Sequence, residues 1–152
     1  MPLLLPQPRH LSLVDGSFSI TDRHLLVLDS PDPQALRFGA TRLQETLRVA
    51  ADLNCEIVAS LAVPQAQRGV TIIVVAGAGR QPDGYELTVT PAGIYAVAGS
   101  AAGAYYAMTT LGQLVEQFGR ELPALRISDW PDFVNRGVML DISRDKVPTM
   151  ET

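Results

Sequence analysis

A single cysteine, no cluster of metal-ligating side chains and no long apolar run set the first limits on this chain. Cys55 has no second cysteine with which to form a disulfide, and neither a CxxC pair nor a Cys/His group accompanies it, so a structural zinc site lacks ligands. His10 and His24 stand far apart in strand-like segments with nothing at metal spacing beside them, and both read as surface or edge residues. No metal or cofactor is therefore expected. Basic residues are sparse too: 12 Lys and Arg are spread along the sequence against 16 Asp and Glu, leaving a net charge of −4 and no stripe able to neutralise a phosphate backbone. Nucleic acid is accordingly not an expected partner. No apolar run approaches the roughly 20 residues of a membrane-spanning helix, so no membrane is expected either. The opening MPLLLPQP carries three leucines, but Pro2, Pro6 and Pro8 interrupt it and no small-residue cleavage site follows. It does not read as a signal peptide, which favours a cytoplasmic location.

What is present is the material of a core. With 47% apolar and only 18% charged residues in 152, the chain can bury one domain of ordinary size. Residues 9–20 alternate apolar with polar side chains and break at Asp15-Gly16, which predicts two short strands about a turn. Residues 25–28 form a third apolar run, closed by Ser30-Pro31-Asp32-Pro33. Asp32 is a good N-cap and Pro33 a good first helical residue, since its missing N–H is one the helix could not bond anyway. Leu36, Ala40, Leu43, Leu47 and Ala50 then recur at helical spacing, predicting a helix to about residue 53 with Asn54 as its left-handed stop.

Residues 55–63 and 69–76 read as strands, the second apolar on both sides and hence central. Tyr85, Leu87 and Val89 alternate with Glu86, Thr88 and Thr90, and an apolar run returns at 94–98 after Pro91-Ala92-Gly93, the clearest hairpin in the chain. Ser100 caps a second helix whose apolar side carries Ala104, Ala107, Met108, Leu111, Leu114, Val115 and Phe118, with Gly119 as its stop. Its first turn, small and uncharged all round, suits a position between two layers. Local hairpins mixed with two helices predict an α+β fold: a mixed, mostly antiparallel sheet with both helices on one face.

Three patterns invite a functional reading. Gly77-Ala78-Gly79 begins like a dinucleotide fingerprint, yet Pro82 occupies the third glycine position and no helix follows. The turn at residues 97–103 could present free N–H groups to a nucleotide, but no Lys or Thr completes a phosphate loop, and its small residues are better read as permitting close helix packing. The third is DWPDFVNRGVMLDISR. Here Arg136 and Arg144 bracket Val138, Met139, Leu140 and Ile142, an apolar strand interrupted by Asp141. If that strand opens a barrel, Arg144 stands at its C-terminal mouth and offers fixed donors to a hydroxyl-rich or anionic ligand. Spacing alone allows equally a structural ion pair between Asp141 and either arginine. The same apolar strand, lacking partners, could also make the chain an interaction module that self-associates through residues 138–142.

The string D-x-P-x-F-x-x-R-G-x-x-L-D-x-S-R, with the YYAMTTLGQL helix before it, resembles the family 20 glycoside hydrolases, the β-N-acetylhexosaminidases, at the junction between their small N-terminal domain and catalytic barrel. The resemblance covers about residues 84–152 by motif and implies a non-catalytic accessory domain at 1–128. Residues 129–152 then hold the linker and the first strand of a truncated (β/α)8 domain. It further implies that Arg144 hydrogen-bonds hydroxyls of a terminal N-acetylhexosamine, while Arg136, Gly137 and Asp141 shape and support the strand. The implied reaction is substrate-assisted, with the acetamido oxygen as nucleophile and an Asp-Glu pair further along the barrel serving as orienting group and general acid/base. That pair is not in these 152 residues, so no catalytic residue is assigned and the chain alone is expected to be inactive. DKVPT after Arg144 departs from the His and aromatic residue common in the family and suggests a bacterial branch.

Overall fold

The computed structural model describes residues 1–59, 62–77, 81–133 and 135–139. Among these, the apolar alternations build strands β1 (His10–Ser19), β2 (Leu25–Asp29), β3 (Ile57–Val58), β4 (Arg68–Val74), β5 (Tyr85–Thr90), β6 (Gly93–Ala98) and β7 (Glu121–Asp129). Helix α1 (Arg37–Ala51) lies between β2 and β3, and α2 (Ala101–Phe118) between β6 and β7. The strands form one sheet in the order β1-β7-β5-β6-β4-β2-β3. It is mixed, as expected, but evenly divided. The ladders joining β1, β7, β5 and β6 are antiparallel, and those joining β6, β4, β2 and β3 are parallel. β2 and β3 are parallel because α1 carries the chain back to the starting end of the sheet, and β4 and β6 are parallel because β5 makes the return run between them.

Two rows of side chains cross the sheet on its helix side. Leu26, Val70, Ile94, Val89 and Leu125 stand in register in one row, and Leu28, Ile72, Ala96, Leu87 and Ile127 in the next, all at 5% exposure or less. Onto these rows fold the buried faces of α1 and α2, which also pack on each other, to make one core. Asp32 Oδ1 accepts from the Ala35 N–H at 3.3 Å and starts a single 3-10 turn, Pro33–Leu36, that leads into α1. The helix ends at Asp52, whose φ of 53° makes it the left-handed residue in place of Asn54; the Asn54 N–H instead donates to Asp22 Oδ1 at 2.8 Å. Ala51 rather than Ala50 completes the inward stripe.

Other expectations change in detail. The two strands expected at 9–20 are one, β1, because a register shift between Leu13 and Ser17, with Gly16 at φ 108°, absorbs the turn-like residues as a bulge. Of the expected strand at 55–63, Ile57–Val58 is the part that pairs among the described residues, at the sheet's far edge. Phe118, expected on the apolar side of α2, is 38% exposed in its last turn. Cys55 is buried, and burial together with the nearby Asp22 charge pushes its thiol up to about 11, so it is unreactive at neutral pH.

The opposite face carries Val27, Thr71, Tyr95, Thr88 and Arg126 in register. Gln65 donates to the Tyr95 hydroxyl at 2.6 Å. Thr71 is 3% exposed, and its hydroxyl has no hydrogen-bond partner among the described residues. Thr71→Val is therefore expected to stabilise the chain by about 1 kcal/mol, because it removes an unsatisfied hydroxyl and keeps the branched shape. Urea unfolding reads the change; a lower midpoint would mean that the hydroxyl is satisfied.

Candidate functional site

The strongest sequence motif begins where β7 ends, and there the structure brings three distant segments together. His10 pairs with Ser128, so Arg9 and Asp129 are the next pair along the same antiparallel edge. The Arg9 N–H donates to Asp129 Oδ1 at 3.2 Å, and Arg9 Nε donates to the Trp130 carbonyl at 3.3 Å. The Arg9 guanidinium also forms an ion pair with Asp132 and lies 4.8 Å from the Trp130 ring centroid. His10, on the edge strand as expected, sets its ring 5.7 Å from that of Trp130. His24 stacks on Phe18 instead, where partial burial lowers its pKa, and its Nδ1 accepts from the Thr21 N–H at 3.1 Å.

Among the described residues, Arg136 is held by Tyr106. Its Nη2 donates to the Tyr106 hydroxyl on α2 at 2.8 Å, with the guanidinium 5.3 Å from the Tyr106 ring centroid. Gly137 is exposed, and a Cβ there would meet nothing within 4 Å among the described residues. Val138 and Met139 stand outside any strand, 98% and 91% exposed. Leu140, Asp141, Ile142 and Arg144 lie outside the described residues, as do Ala78 and Gly79 of the glycine-rich loop.

Between α2 and the segment after β7 opens a cleft of about 470 Å³, with Tyr85, Tyr106, Trp130 and Arg136 among its walls. The Tyr85 hydroxyl is 2.6 Å from Thr110 Oγ1; burial foremost, with the Asp129 charge adding, pushes its pKa up to about 12. The turn before α2 is closed to anions. Ser100 Oγ accepts from the Gly103 N–H at 3.1 Å and donates to Asp83 Oδ1 at 2.6 Å, which places a carboxylate where a phosphate would go. Gly103 is there for contact: a Cβ on it would stand 2.6 Å from the Gly84 carbonyl oxygen. Chemically the assembly is a fastening, since Asp129 and Asp132 both accept from Arg9. Sequence reasoning missed Arg9, Tyr106 and the α2 glutamines Gln113 and Gln117. A lone arginine before a strand carries no periodic signal, although two glutamines four apart on a helix flank were visible.

Fold and contacts together describe an α+β domain whose segment after β7 is fastened by Arg9 and by Tyr106. The chain belongs to glycosyl hydrolase family 20: the family's domain 2 pattern matches residues 1–130. It is 30% identical over 150 residues to a beta-hexosaminidase of Porphyromonas gingivalis, and 32% identical over 143 residues to the N,N'-diacetylchitobiase of Vibrio harveyi. Each likeness covers 93% of this chain but only 19% and 15% of the relative. The crystal structure of Flavobacterium johnsoniae chitobiase superposes with a TM-score of 0.74 at 27% identity, over 94% of this chain and 23% of that one. The chain thus spans less than a quarter of the length of these proteins.

Proposed function

We propose that residues 1–128 are the non-catalytic domain of a β-N-acetylhexosaminidase and that residues 129–152 open its (β/α)8 catalytic barrel. The observation that carries the reading is the likeness to a beta-hexosaminidase and a chitobiase over nearly the whole of this chain and a small share of theirs. On this reading the longer protein removes terminal N-acetylhexosamine from a glycan by substrate-assisted retaining hydrolysis. Arg144 would hydrogen-bond the sugar hydroxyls, supported by Arg136, Gly137 and Asp141. The Asp-Glu pair would come from later strands, so the 152 residues alone release no product from a chromogenic N-acetylglucosaminide. In a longer chain that includes the barrel, Arg144→Ala should lower kcat/KM by on the order of a hundredfold. Turnover by the 152 residues themselves, or a longer chain without activity, would reject the assignment.

The exposure of Val138 and Met139 favours a second reading, self-association through residues 138–142. Size-exclusion chromatography of residues 1–152 against 1–130 separates the two, because a sticky strand makes only the longer chain elute early. Equal monomers would dismiss it.

A further inference from the structure

Residues 1–9 lie outside any helix or strand, yet both ends of the segment are held. On α2, Gln117 and Gln113 each grip one backbone residue in both directions. The Leu3 N–H donates to Gln117 Oε1 at 2.8 Å while Gln117 Nε2 donates to the Leu3 carbonyl at 2.7 Å. Leu5 and Gln113 repeat the pattern at 2.8 and 2.9 Å. The spacing fits: four helical residues rise about 6 Å and two extended residues about 6.6 Å, so successive glutamines meet alternate residues of the segment. Leu4 points inward at 7% exposure, while Leu3 and Leu5 stand 85% and 84% exposed. At the other end Arg9 holds Asp129, Trp130 and Asp132. The segment thereby walls the cleft opposite the linker, with Leu5, Pro6 and Arg9 facing Trp130, Phe133 and Arg136.

We propose that residues 1–9 are a latch, fastened to α2 by Gln113 and Gln117, through which Arg9 sets the direction in which the chain leaves β7. Arg9 is then a positioning residue for the chain past residue 136. In its catalytic consequence the proposal rests on the hexosaminidase reading, which puts the strand bearing Arg144 at that place. Its mechanical part stands alone. Three contacts from one side chain, with the Tyr106 to Arg136 bond beyond them, fix the linker at two points about five residues apart, which suffices to aim a strand.

Trp130 is the sole tryptophan and reports on the junction directly. In the 152-residue chain, Arg9→Ala should shift Trp130 emission to the red and raise acrylamide quenching about twofold, with tryptic cleavage after Arg136 faster by roughly tenfold. The unfolding midpoint should hardly move, because the sheet begins at His10. Arg9→Lys keeps the charge but loses the planar stack, and should fall between. The double variant Gln113→Ala/Gln117→Ala touches neither Arg9 nor Trp130, so the same spectral change there reads the latch acting through the segment. Trp130 unchanged in both variants overturns the latch. In the barrel-containing chain, Arg9→Ala should lower kcat/KM toward an N-acetylglucosaminide about tenfold at an unaltered midpoint. Full activity there overturns the positioning role. An inactive wild-type longer chain rejects the enzyme assignment and the positioning role with it, while Trp130 still judges the latch on its own.

Discussion

Gly103→Ala is expected to lower stability by about 2–3 kcal/mol, since the added methyl would stand 2.6 Å from the Gly84 carbonyl oxygen and 3.1 Å from that of Asp83. Backbone cannot swing aside as a side chain can. Gly84 is itself confined, because a Cβ on it would lie 3.3 Å from Trp130 Cβ, so a displaced loop runs into the junction. For a chain of this size the thermal midpoint should fall by roughly 5–10 °C. Gly39→Ala is the control. Its methyl would approach Met108 Cε at 2.5 Å, the far end of a flexible side chain, and alanine in a helix regains up to about 1 kcal/mol of propensity. Equal losses in the two variants, measured by calorimetry, would show that the Gly103 contact has no special weight.

Leu87→Ala should cost about 3–4 kcal/mol. Leu87 is fully buried in β5, in register with Ala96 on one side and Ile127 on the other, so the antiparallel half of the sheet meets the helix layer at this side chain. Neither alanine nor a paired strand backbone can close the space left. Leu13, on the edge strand and 54% exposed, should lose no more than about 0.5 kcal/mol in the same exchange. Urea midpoints at constant slope decide it; a Leu87 loss below that of Leu13 would mean that the core does not centre here.

Local chemistry was readable from the residues, and pairing at a distance was not. The β5–β6 hairpin, the stripe of α1 and the caps Asp32, Ser100 and Gly119 each depend on neighbours within four or five positions, so each could be recognised alone. Asp52 took the left-handed position from Asn54 because the helix stops where its buried stripe ends at Ala51, two residues earlier than side-chain preference suggests. That β1 lies beside β7 has no local mark, and without it Arg9 could not be placed against Trp130. For Arg136, spacing offered Asp141 as a partner. Asp141 lies outside the described residues, and among those described the partner of Arg136 is Tyr106, thirty positions upstream and reached only once α2 has docked.

The place of β7 between β1 and β5 has a consequence for synthesis. A ribosome delivers the first strand long before β7, its neighbour among the described residues, and residues 10–19 must wait, with Leu11 and Leu13 unmatched, until residues 121–129 have emerged. The parallel half and the hairpin can assemble in that interval, but the remaining edge of β5 stays open as well. Translation that stalls before β7 should therefore leave a nascent chain with two adhesive strands, a natural client for chaperones, and closure of this sheet falls on β7.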